Sequence, residues 1–568
     1  MLDHYRMAKV LRRPRKGSGP RIEGEKARSA QGGQTGTNHH AALVASGILL
    51  SRIAGLLRDR VFAHYFGSSD AADAFRAAFR IPNLLQNLFG EGALSASFIP
   101  VYANLLAHKA EDEAGDVASA VFCLLALAMS CLVLIGVFAT PVLTGIIAPG
   151  FKGAKLQLTI SLVRILFPGA GLLVISAWCL GVLNSHRRFF ISYSAPVAWN
   201  VMMIISLVGF GGRLEQFSLT KVLAWGSVAG SALQIGVQLP QVLRLVGRLR
   251  LVVGIGKKNV QTVVRNFAPM LVSRGVVQIS AYIDTLLASF LPTGALAALV
   301  YAQTLYTLPV SLFGMSVSAA ELPAFSSALG EAREVSAYLR ERLNAALRQI
   351  AFFVVPSAMA FLALGDVIAG AIYQTGRFGR QDSEYVWTIL GGSAIGLLAT
   401  TLGRLYASAY YALRDTRTPL RFAVLRVLLT ALLGYVAALR LPHLLGLSPK
   451  WGVAGLTASA GIAGWLELAL LRNSLKTRIG NTGLSLSFTV KLWIGAAAAA
   501  AAAWGPKLMM HLRHPITVAI ACLGSYGLVY FAATAALGVP ETGRLMGKVT
   551  GWARRACAGV IRAGHGRA

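Results

Sequence analysis

The sequence has few acidic residues. It contains 23 Asp and Glu against 54 Lys and Arg in 568 residues, and charged residues make up only 14% of the chain. Soluble proteins carry roughly a quarter charged residues. Hydrophobic residues make up 55% of the chain, and the mean hydropathy is +0.60. This composition argues against an ordinary soluble domain and predicts a protein whose surface mostly faces lipid.

Cysteine is also scarce, and its spacing fits none of the common cysteine sites. The five cysteines form neither a Cys-x-x-Cys pair nor a cluster with histidine, so the sequence predicts no metal site and no disulfide. We expect these residues to pack as small apolar side chains. No Walker motif is present, so we expect neither ATP hydrolysis by this chain nor a bound cofactor.

The net charge of +31 would suggest nucleic-acid binding in a soluble protein. Here the basic residues sit between apolar runs, and no basic, aromatic-rich soluble module is present. We therefore predict no nucleic-acid partner and interpret the charge as a signal for topology and for anionic lipid headgroups. Residues 1–40 hold nine Lys and Arg and lack the apolar core of a signal peptide, which predicts a disordered basic tail.

Fourteen apolar runs lie between residues 41 and 538, and each is far longer than a β-strand. Lipid accepts only helices or closed barrels, and the alternating pattern of a barrel strand is absent. The sequence therefore predicts an all-α polytopic membrane protein with about 14 transmembrane helices. Of the 54 Lys and Arg, 36 fall in segments on the side of the N-terminus and 10 on the other side. This asymmetry predicts that both termini are cytoplasmic.

A faint internal repeat divides the chain. Gly67 precedes Pro82 by 15 residues in helix 2, and Gly294 precedes Pro309 by 15 residues in helix 8. This shared spacing suggests two parallel repeats of six helices. The predicted segments are a basic disordered cytoplasmic tail (1–40), an N-lobe with helices 1–6 (41–245), a C-lobe with helices 7–12 (246–475), an additional pair, helices 13 and 14 (476–540), and a second basic cytoplasmic tail (541–568).

Helices 1 and 2 carry charges where lipid would be expected. A charged side chain at mid-bilayer costs about 2.5–3.5 kcal/mol on insertion scales. Such a concentration requires an aqueous cavity, internal ion pairs or positions at the membrane interface. The charged positions are Arg52, Arg58, Asp59, Arg60, Asp73, Arg76, Arg80 and Glu91.

The spacing of these residues favours a cavity. Ser51, Gly55 and Arg58 share one face of helix 1. On helix 2 a polar stripe that runs from Asp73 to Ser95 is predicted to face a watery interior. Arginines outnumber acids here, so the site keeps surplus positive charge. A pyrophosphate suits the planar guanidinium group, which predicts a phosphate-containing ligand.

Structural interpretations of the same charges stay open. Ion pairs between Asp73 and Arg76, or between Asp59 and Arg52, would hold a helix bundle together without any ligand. An interfacial position is the alternative for Arg60 and Arg76. Further charges fall inside later helices, at Arg164, Arg274, Asp284, Glu321, Asp366, Arg404 and Glu467. Of these, Glu321, Asp366 and Glu467 are expected to be solvated or structural.

Several motifs along the chain resemble those of one transporter family. They are SRIAGLLRD at 51–59, FG at 66–67, DAF at 73–75, IPNLL at 81–85, FGEGALS at 89–95, FIP at 98–100, APGF at 148–151, AP at 195–196, QLP at 238–240 and YALRDTRTP at 411–419. In this order they resemble the MurJ/MviN family of lipid II flippases, in the multidrug/oligosaccharidyl-lipid/polysaccharide exporter superfamily. The likeness runs from about residue 41 to 540.

This resemblance implies two six-helix lobes around a central cavity, a C-terminal helix pair that forms a lipid groove, and alternating access. By matched position, Arg52 and Arg58 would contact the substrate pyrophosphate, and Ser51 would line the cavity. Residues in coupling or gate positions would be Gly55, Asp59, Asp73 and Glu91.

Two departures from the family pattern concern the cavity charge. Members often have a basic residue in helix 2 where this chain has Gln86, and an arginine in helix 8 where it has Gln303-Thr304. We hypothesise that Arg274, on helix 7, supplies the charge missing at Thr304. Arg80 could play the same part for Gln86. Arg80 and Arg274 are therefore included among the predicted substrate-binding residues.

The expected function is transfer of lipid II, the undecaprenyl-pyrophosphate-linked peptidoglycan precursor, across the bacterial inner membrane. We expect no enzymatic activity, a functional monomer, a coupling ion of unassigned identity, and contacts with cell-wall synthesis proteins. The alternatives are a flippase for another polyprenyl-linked oligosaccharide, a drug or ion antiporter, and a membrane enzyme acting on polyprenyl phosphates. Such an enzyme usually needs clustered carboxylates, and the only acidic run, Glu111-Asp112-Glu113, is expected in a loop.

Overall fold

The computed structural model describes residues 46–247, 249–250, 254, 256–326, 332–510, 514–545 and 547. Among these residues the structure is helical, and the only β-type pairing is an isolated bridge between Thr375 and Phe378. The predicted all-α fold is therefore confirmed. The N-terminal tail and most of the C-terminal tail fall outside these ranges, so the predictions about them stay predictions.

The first half of the chain forms nine helices within the described ranges. They are α1 (46–66), α2 (Asp70–Phe89), α3 (Glu91–Ser97), α4 (Ile99–Ala107), α5 (Glu111–Phe138), α6 (Thr140–Ile147), α7 (Gly153–Ser185), α8 (Phe189–Phe210) and α9 (Gln216–Val246).

The second half begins with α10 and ends with a helix pair. The helices are α10 (Lys258–Ser289), α11 (Ala295–Pro309), α12 (Ser316–Ser326), α13 (Ala332–Tyr373), α14 (Arg380–Ala412), α15 (Arg417–Tyr435), α16 (Leu441–Leu444), α17 (Gly452–Ile479), α18 (Leu486–Met509) and α19 (Pro515–Ala536). A π-helical segment, Val310–Met315, joins α11 to α12, and another, Val436–Arg440, joins α15 to α16. A 3₁₀ turn at Pro449–Trp451 precedes α17.

Eleven of the spans described by the structure are long and apolar enough to cross a membrane. Helices α1, α2 and α10 are also about 20 residues or longer, but they carry several charges. These three helices would bring the total to the predicted 14. The count itself stays a prediction, because length and composition alone do not place a helix in lipid.

Several predicted helices are broken. The run 71–104, expected as one helix, consists of α2, α3 and α4, with a break at Gly90 and Pro100 in the first turn of α4. The run 117–145 breaks at Ala139, where Pro141 begins α6. Proline lacks a backbone donor and is tolerated in the first turn of a helix, which fits the positions of Pro100 and Pro141. Pro168, Pro196 and Pro240 lie inside helices, so proline by itself does not decide where a helix breaks.

The acidic run Glu111-Asp112-Glu113 does not lie in a loop as expected. It forms the first turn of α5. Carboxylates are favourable there because the unpaired backbone N–H groups of a helix N-terminus carry partial positive charge. A solvated surface position remains correct, since all three side chains are exposed.

Two groups of helices pack around separate central members. In the first, α7 packs against α2, α5 and α9, and in the second, α14 packs against α13 and α17. The pair α18 and α19 packs together and against α13. Tyr526 and Tyr530 on α19 donate hydrogen bonds to the backbone oxygens of Pro356 and Phe352 on α13, at 2.7 and 2.6 Å. This grouping is compatible with the predicted lobes, whose boundaries stay predictions.

The two glycines of the predicted repeat are structurally equivalent. Gly67 and Gly294 both adopt positive φ, +54° and +85°, just before α2 and α11 begin. Each also touches the other half of the chain: an added Cβ would lie 2.8 Å from the Arg377 oxygen at Gly67, and 2.6 Å from the Ser68 oxygen at Gly294. Only glycine combines this backbone conformation with such close contact. The repeat therefore places two equivalent turns where the halves meet.

Candidate functional site

A cavity of about 410 Å³ lies between the two halves of the molecule. Helices α1, α2 and α11 line it. The lining residues are Arg52, Gly55, Leu56, Arg58, Asp59, Arg76, Phe79, Arg80, Asn83, Val300, Gln303, Thr304, Thr307 and Leu308. Four arginines face one carboxylate in this set. The predicted surplus of positive charge is therefore present in a real cavity.

Arg58 is held in place by the first half of the chain. Its guanidinium donates to Asn200 Oδ1 on α8 at 3.1 Å and lies 5.1 Å from the centre of the Trp199 ring. The Asn200 amide in turn donates to the Pro196 oxygen at 2.9 Å, which turns its own oxygen towards Arg58. Gly55 also lines the cavity beside Asn200, although an added Cβ would make only an ordinary contact of 3.9 Å with Asn200 Oδ1. A preorganised guanidinium is well suited to bind an anion.

Asp59 is shared by two arginines. Its Oδ1 accepts hydrogen bonds from Arg58 at 3.0 Å and from Arg76 at 3.2 Å. Arg76 lies over the Phe62 ring at 4.3 Å, in a buried position. The alternative ion pairs, Asp59 with Arg52 and Asp73 with Arg76, are therefore wrong, whereas an interfacial position of Arg76 stays a prediction. One carboxylate between two cations leaves positive charge available to a ligand.

Arg52 and Arg80 reach across the cavity to the second half of the chain. Arg52 donates to Ser311 Oγ at 3.3 Å, and Arg80 donates to Gln303 Oε1 at 2.9 Å. The resemblance leads one to expect an arginine at Gln303-Thr304, and the Arg80 guanidinium occupies this part of the cavity. The side chain of Arg274 falls outside the described part of α10, so its proposed compensation for Thr304 stays a hypothesis.

Asp73 does not face a watery interior as predicted. It is buried where α2 begins, and it joins the two halves. Its carboxylate accepts hydrogen bonds from the backbone N–H groups of Gly294 and Ala297, both at 2.8 Å, and from Lys155 Nζ at 2.6 Å. The two backbone groups belong to the N-terminal turn of α11. Asp73 therefore caps a helix of the other half, which favours a negative charge at this position.

Nearby, a basic side chain caps the C-terminus of a helix of the other half. Arg60 Nη1 donates to the backbone oxygens of Ala371 and Ile372 at 2.8 and 2.7 Å, near the C-terminus of α13. His64 Nδ1 lies 2.9 Å from Thr375 Oγ1. Arg60 is thus a contact between the halves near the ends of two helices, and its position at the membrane interface stays a prediction. We call this part of the molecule, with Asp73 and Arg60, the Asp73 end.

The halves also meet at the opposite end. Helix α3 packs against α10, and the rings of Phe89 and Phe267 lie 5.8 Å apart. Glu91 is the first residue of α3, but its side chain lies beyond what the structure describes. Contacts at both ends leave the arginine-rich cavity between them.

The sequence analysis missed two partners of the predicted residues. Neither Lys155, in a segment expected to be a loop, nor Asn200 is among the candidate residues of the sequence. A signal existed for Asn200, because an amide in the apolar run of α8 needs a polar partner. Ser51, predicted to line the cavity, lies on α1 but not among the lining residues. In the described part of the chain no group of three His, Cys, Asp or Glu residues could hold a metal ion.

Comparison with known proteins places this architecture in a family. The family model described as "Lipid II flippase MurJ" matches residues 62–522. The chain belongs to the MurJ family. The lipid II flippase MurJ of Burkholderia cenocepacia is 32% identical over 448 residues, which cover 77% of this chain and 84% of that protein. A probable lipid II flippase MurJ of Rhizobium meliloti is 29% identical and covers 81% and 85%.

Solved structures agree with this assignment at the level of the fold. A MurJ structure described as the inward closed conformation matches with a TM-score of 0.72 and 24% identity, covering 87% of this chain and 98% of that one. An inward-facing multidrug transporter of the MATE family, described as a member of the MOP superfamily, matches with a TM-score of 0.59 and 14% identity. MurJ and MATE proteins therefore share the arrangement of helices seen here, and the cavity residues must be considered for this chain separately.

Proposed function

We propose that this chain moves lipid II from the cytoplasmic to the periplasmic leaflet of the bacterial inner membrane by alternating access. The observation that carries the proposal is the cavity between the halves, lined by four arginines and one carboxylate, in a member of the MurJ family. A drug exporter for cations would need an acidic cavity. An enzyme acting on polyprenyl phosphates would usually need clustered carboxylates for a metal.

The arginines act as the pyrophosphate site. Arg52, Arg58 and Arg80 present guanidinium groups from α1 and α2 to one space, and each has a polar partner that fixes its position. Guanidinium groups bind phosphate oxygens through paired hydrogen bonds, which are stronger than neutral ones. The substrate oxygens would replace Ser311 and Gln303 as acceptors, so binding would loosen two contacts between the halves.

The lobes separate during transport. A cavity of about 410 Å³ is the size of a drug-binding site. A disaccharide–peptide head group is larger than such a ligand, so the α3–α10 contact must open to admit it. The polyprenyl tail stays in the bilayer, along α18 and α19.

The Asp73 end faces the periplasm in this proposal, and both termini are cytoplasmic. The charge asymmetry of the loops supports this orientation. The capped helix termini of Asp73 and Arg60 then form the periplasmic gate. A bound ion or the membrane potential would bias the cycle, since one charge crossing 100 mV is worth about 2.3 kcal/mol.

Replacement of a bacterium's only lipid II flippase tests the function. Growth and the fraction of lipid II that faces the cytoplasm would be measured for the wild type, for Arg58→Ala and for Arg440→Ala. Arg440 is exposed and lies at the Asp73 end, away from the cavity lining. We expect the wild type and Arg440→Ala to restore growth and to clear inward-facing lipid II, and Arg58→Ala to do neither.

Failure of a well-expressed, correctly inserted wild type would contradict the proposal. A flippase for another polyprenyl-linked oligosaccharide would then be favoured, with Gln86 and Thr304 as the positions that changed the substrate. Full activity of Arg58→Ala would leave the function intact but would refute the pyrophosphate site.

A further inference from the structure

A second group of charged residues lies in the C-terminal half, apart from the cavity lining. Arg426 on α15 forms an ion pair with Glu467 on α17 at 3.2 Å. Arg404 on α14 lies close enough to Glu467 and to Tyr306 on α11 to act on both electrostatically. The Tyr306 hydroxyl is 2.7 Å from Thr400 Oγ1, one turn before Arg404. Four helices therefore converge on these charges.

The position of Arg404 on its helix indicates that this cluster faces water. Arg404 lies eight residues before the end of α14, and Arg426 lies nine residues after the start of α15. At 1.5 Å per residue both are roughly 12–14 Å inside the helix end opposite the Asp73 end. Arg404 is nevertheless exposed. Arg404 shares one face of α14 with Thr400, which contacts Tyr306 of α11, so its exposed side faces the inside of the helix bundle and borders an aqueous space there.

That space adjoins the central cavity. Helices α14 and α15 both pack along α17 but hardly touch each other, which leaves a gap with Glu467 behind it. Tyr306 belongs to α11, whose Thr304 and Thr307 line the cavity. The gap between α14 and α15 is therefore the wall of the second half that a large head group would meet.

Within the described part of the chain, Arg404 has no acidic side chain in direct contact. Glu467 contacts Arg426 alone there, and Asp284 on α10 also lies close enough to Arg426 to interact with it electrostatically. Among the described residues, Arg404 forms no ion pair and its guanidinium donates no hydrogen bond. A cavity-facing guanidinium with unused donors has the chemistry to bind a carboxylate.

We propose that Arg404 and Arg426 form a second anion site that binds a carboxylate of the stem peptide of the substrate. This inference rests on the proposed function, because it assumes a lipid-linked peptidoglycan precursor. The head group of such a precursor has two kinds of anion, its pyrophosphate and the carboxylates of its peptide. The pyrophosphate is assigned to arginines of α1 and α2, so a separate cationic wall in the other half suits the peptide.

Two probes separate peptide recognition from pyrophosphate recognition. One is lipid II with its complete stem peptide, and the other is the same undecaprenyl-pyrophosphate disaccharide without a peptide. Affinities of the purified full-length protein for each would be measured by native mass spectrometry. We expect the wild type to bind the peptide-bearing probe about tenfold or more tightly, the magnitude of a charge-assisted hydrogen bond.

The variants are Arg404→Gln, the double variant Arg426→Gln with Glu467→Gln, and Arg440→Gln as a matched control. The double variant avoids leaving Glu467 as an unpaired charge. We expect both cluster variants to reduce the tenfold preference to about twofold or less, with unchanged affinity for the probe that lacks the peptide. Arg404→Lys should keep part of the preference, and Arg440→Gln should keep all of it.

The outcomes distinguish this inference from the function on which it rests. If the wild type binds both probes equally, or if the folded cluster variants keep the full preference, the peptide site is refuted and the flippase function stands. If the wild type binds neither probe, the proposed function fails and the peptide site fails with it. Retention of the wild-type melting temperature identifies the variants that are folded.

Discussion

Replacing Asp73 by asparagine should open the Asp73 end. The substitution keeps the shape of the side chain but removes the charge that accepts hydrogen bonds from the N–H groups of Gly294 and Ala297. Those two bonds join the halves. The bond from Lys155 lies within the first half, between α2 and α7, and is therefore present whether the gate is open or closed.

The size of the effect follows from the two bonds between the halves. A hydrogen bond to a charged group contributes about 1.5–3 kcal/mol, and a neutral one about 1 kcal/mol. Asparagine keeps a single acceptor oxygen, so the closed state should lose about 3 kcal/mol relative to the open state. This corresponds to a roughly hundredfold shift of the equilibrium towards the open state.

Double electron–electron resonance, which measures distances between two spin labels, would detect this shift. Labels at Arg213 and Lys450, which are both exposed at the Asp73 end, would report the separation of the halves in a cysteine-free background. Asp70→Asn is the control, because Asp70 also contacts Lys155 and the other half but is 44% exposed. Exposed pairs contribute only about 0–1 kcal/mol. An unchanged distance distribution in folded Asp73→Asn would refute the assignment of this residue to the gate.

Three further predictions concern stability and are measured as thermal unfolding. Asp59→Asn should destabilise the protein by about 1.5–3 kcal/mol, because Arg58 and Arg76 at the cavity wall lose the charge of their shared partner, whereas Glu384→Gln in an exposed pair should change it by less than about 0.5 kcal/mol. Gly294→Ala should cost at least about 1 kcal/mol, because φ is +85°, while Gly209→Ala in open space on α8 should be neutral or stabilising. Hydrogen bonds from the Thr418 N–H and hydroxyl, and then from Arg478, lower the pKa of Asp415. The stability lost in Asp415→Asn should therefore be constant from about pH 8 to 5 and should shrink below about pH 4. A difference that grows on acidification would contradict this.

The sequence predicted the individual helices well because their signals are local. A run of about 20 apolar residues is costly to place anywhere except in lipid or in a protein core, so length and hydropathy predict helices without knowledge of their neighbours. The breaks near Gly90 and Pro141 were missed, because glycine and proline also occur inside helices that stay continuous. The prediction of surplus arginine near Arg52 and Arg58 was also correct, because charges in an apolar run require an aqueous cavity or a charged partner.

The partners of those charges could not be predicted. The sequence suggested ion pairs between Asp73 and Arg76 and between Asp59 and Arg52, because these residues are close in the chain. The structure pairs Asp59 with Arg76, and Asp73 with Lys155 and with backbone groups 221 and 224 residues away. Arg404 and Glu467 were noticed as intramembrane charges, but nothing in the sequence linked them to each other or to Arg426.

The sequence by itself determined the class of protein, the existence of most helices, the positions where the halves turn at Gly67 and Gly294, and an excess of arginine inside the membrane. Each follows from composition, from local spacing or from backbone freedom at glycine. Only the tertiary structure decided which arginines share one cavity, that Asp73 caps a helix of the other half, and that Arg426 pairs with Glu467. Such contacts join residues far apart in the chain, and their energies depend on burial and distance, which arise only when the helices pack.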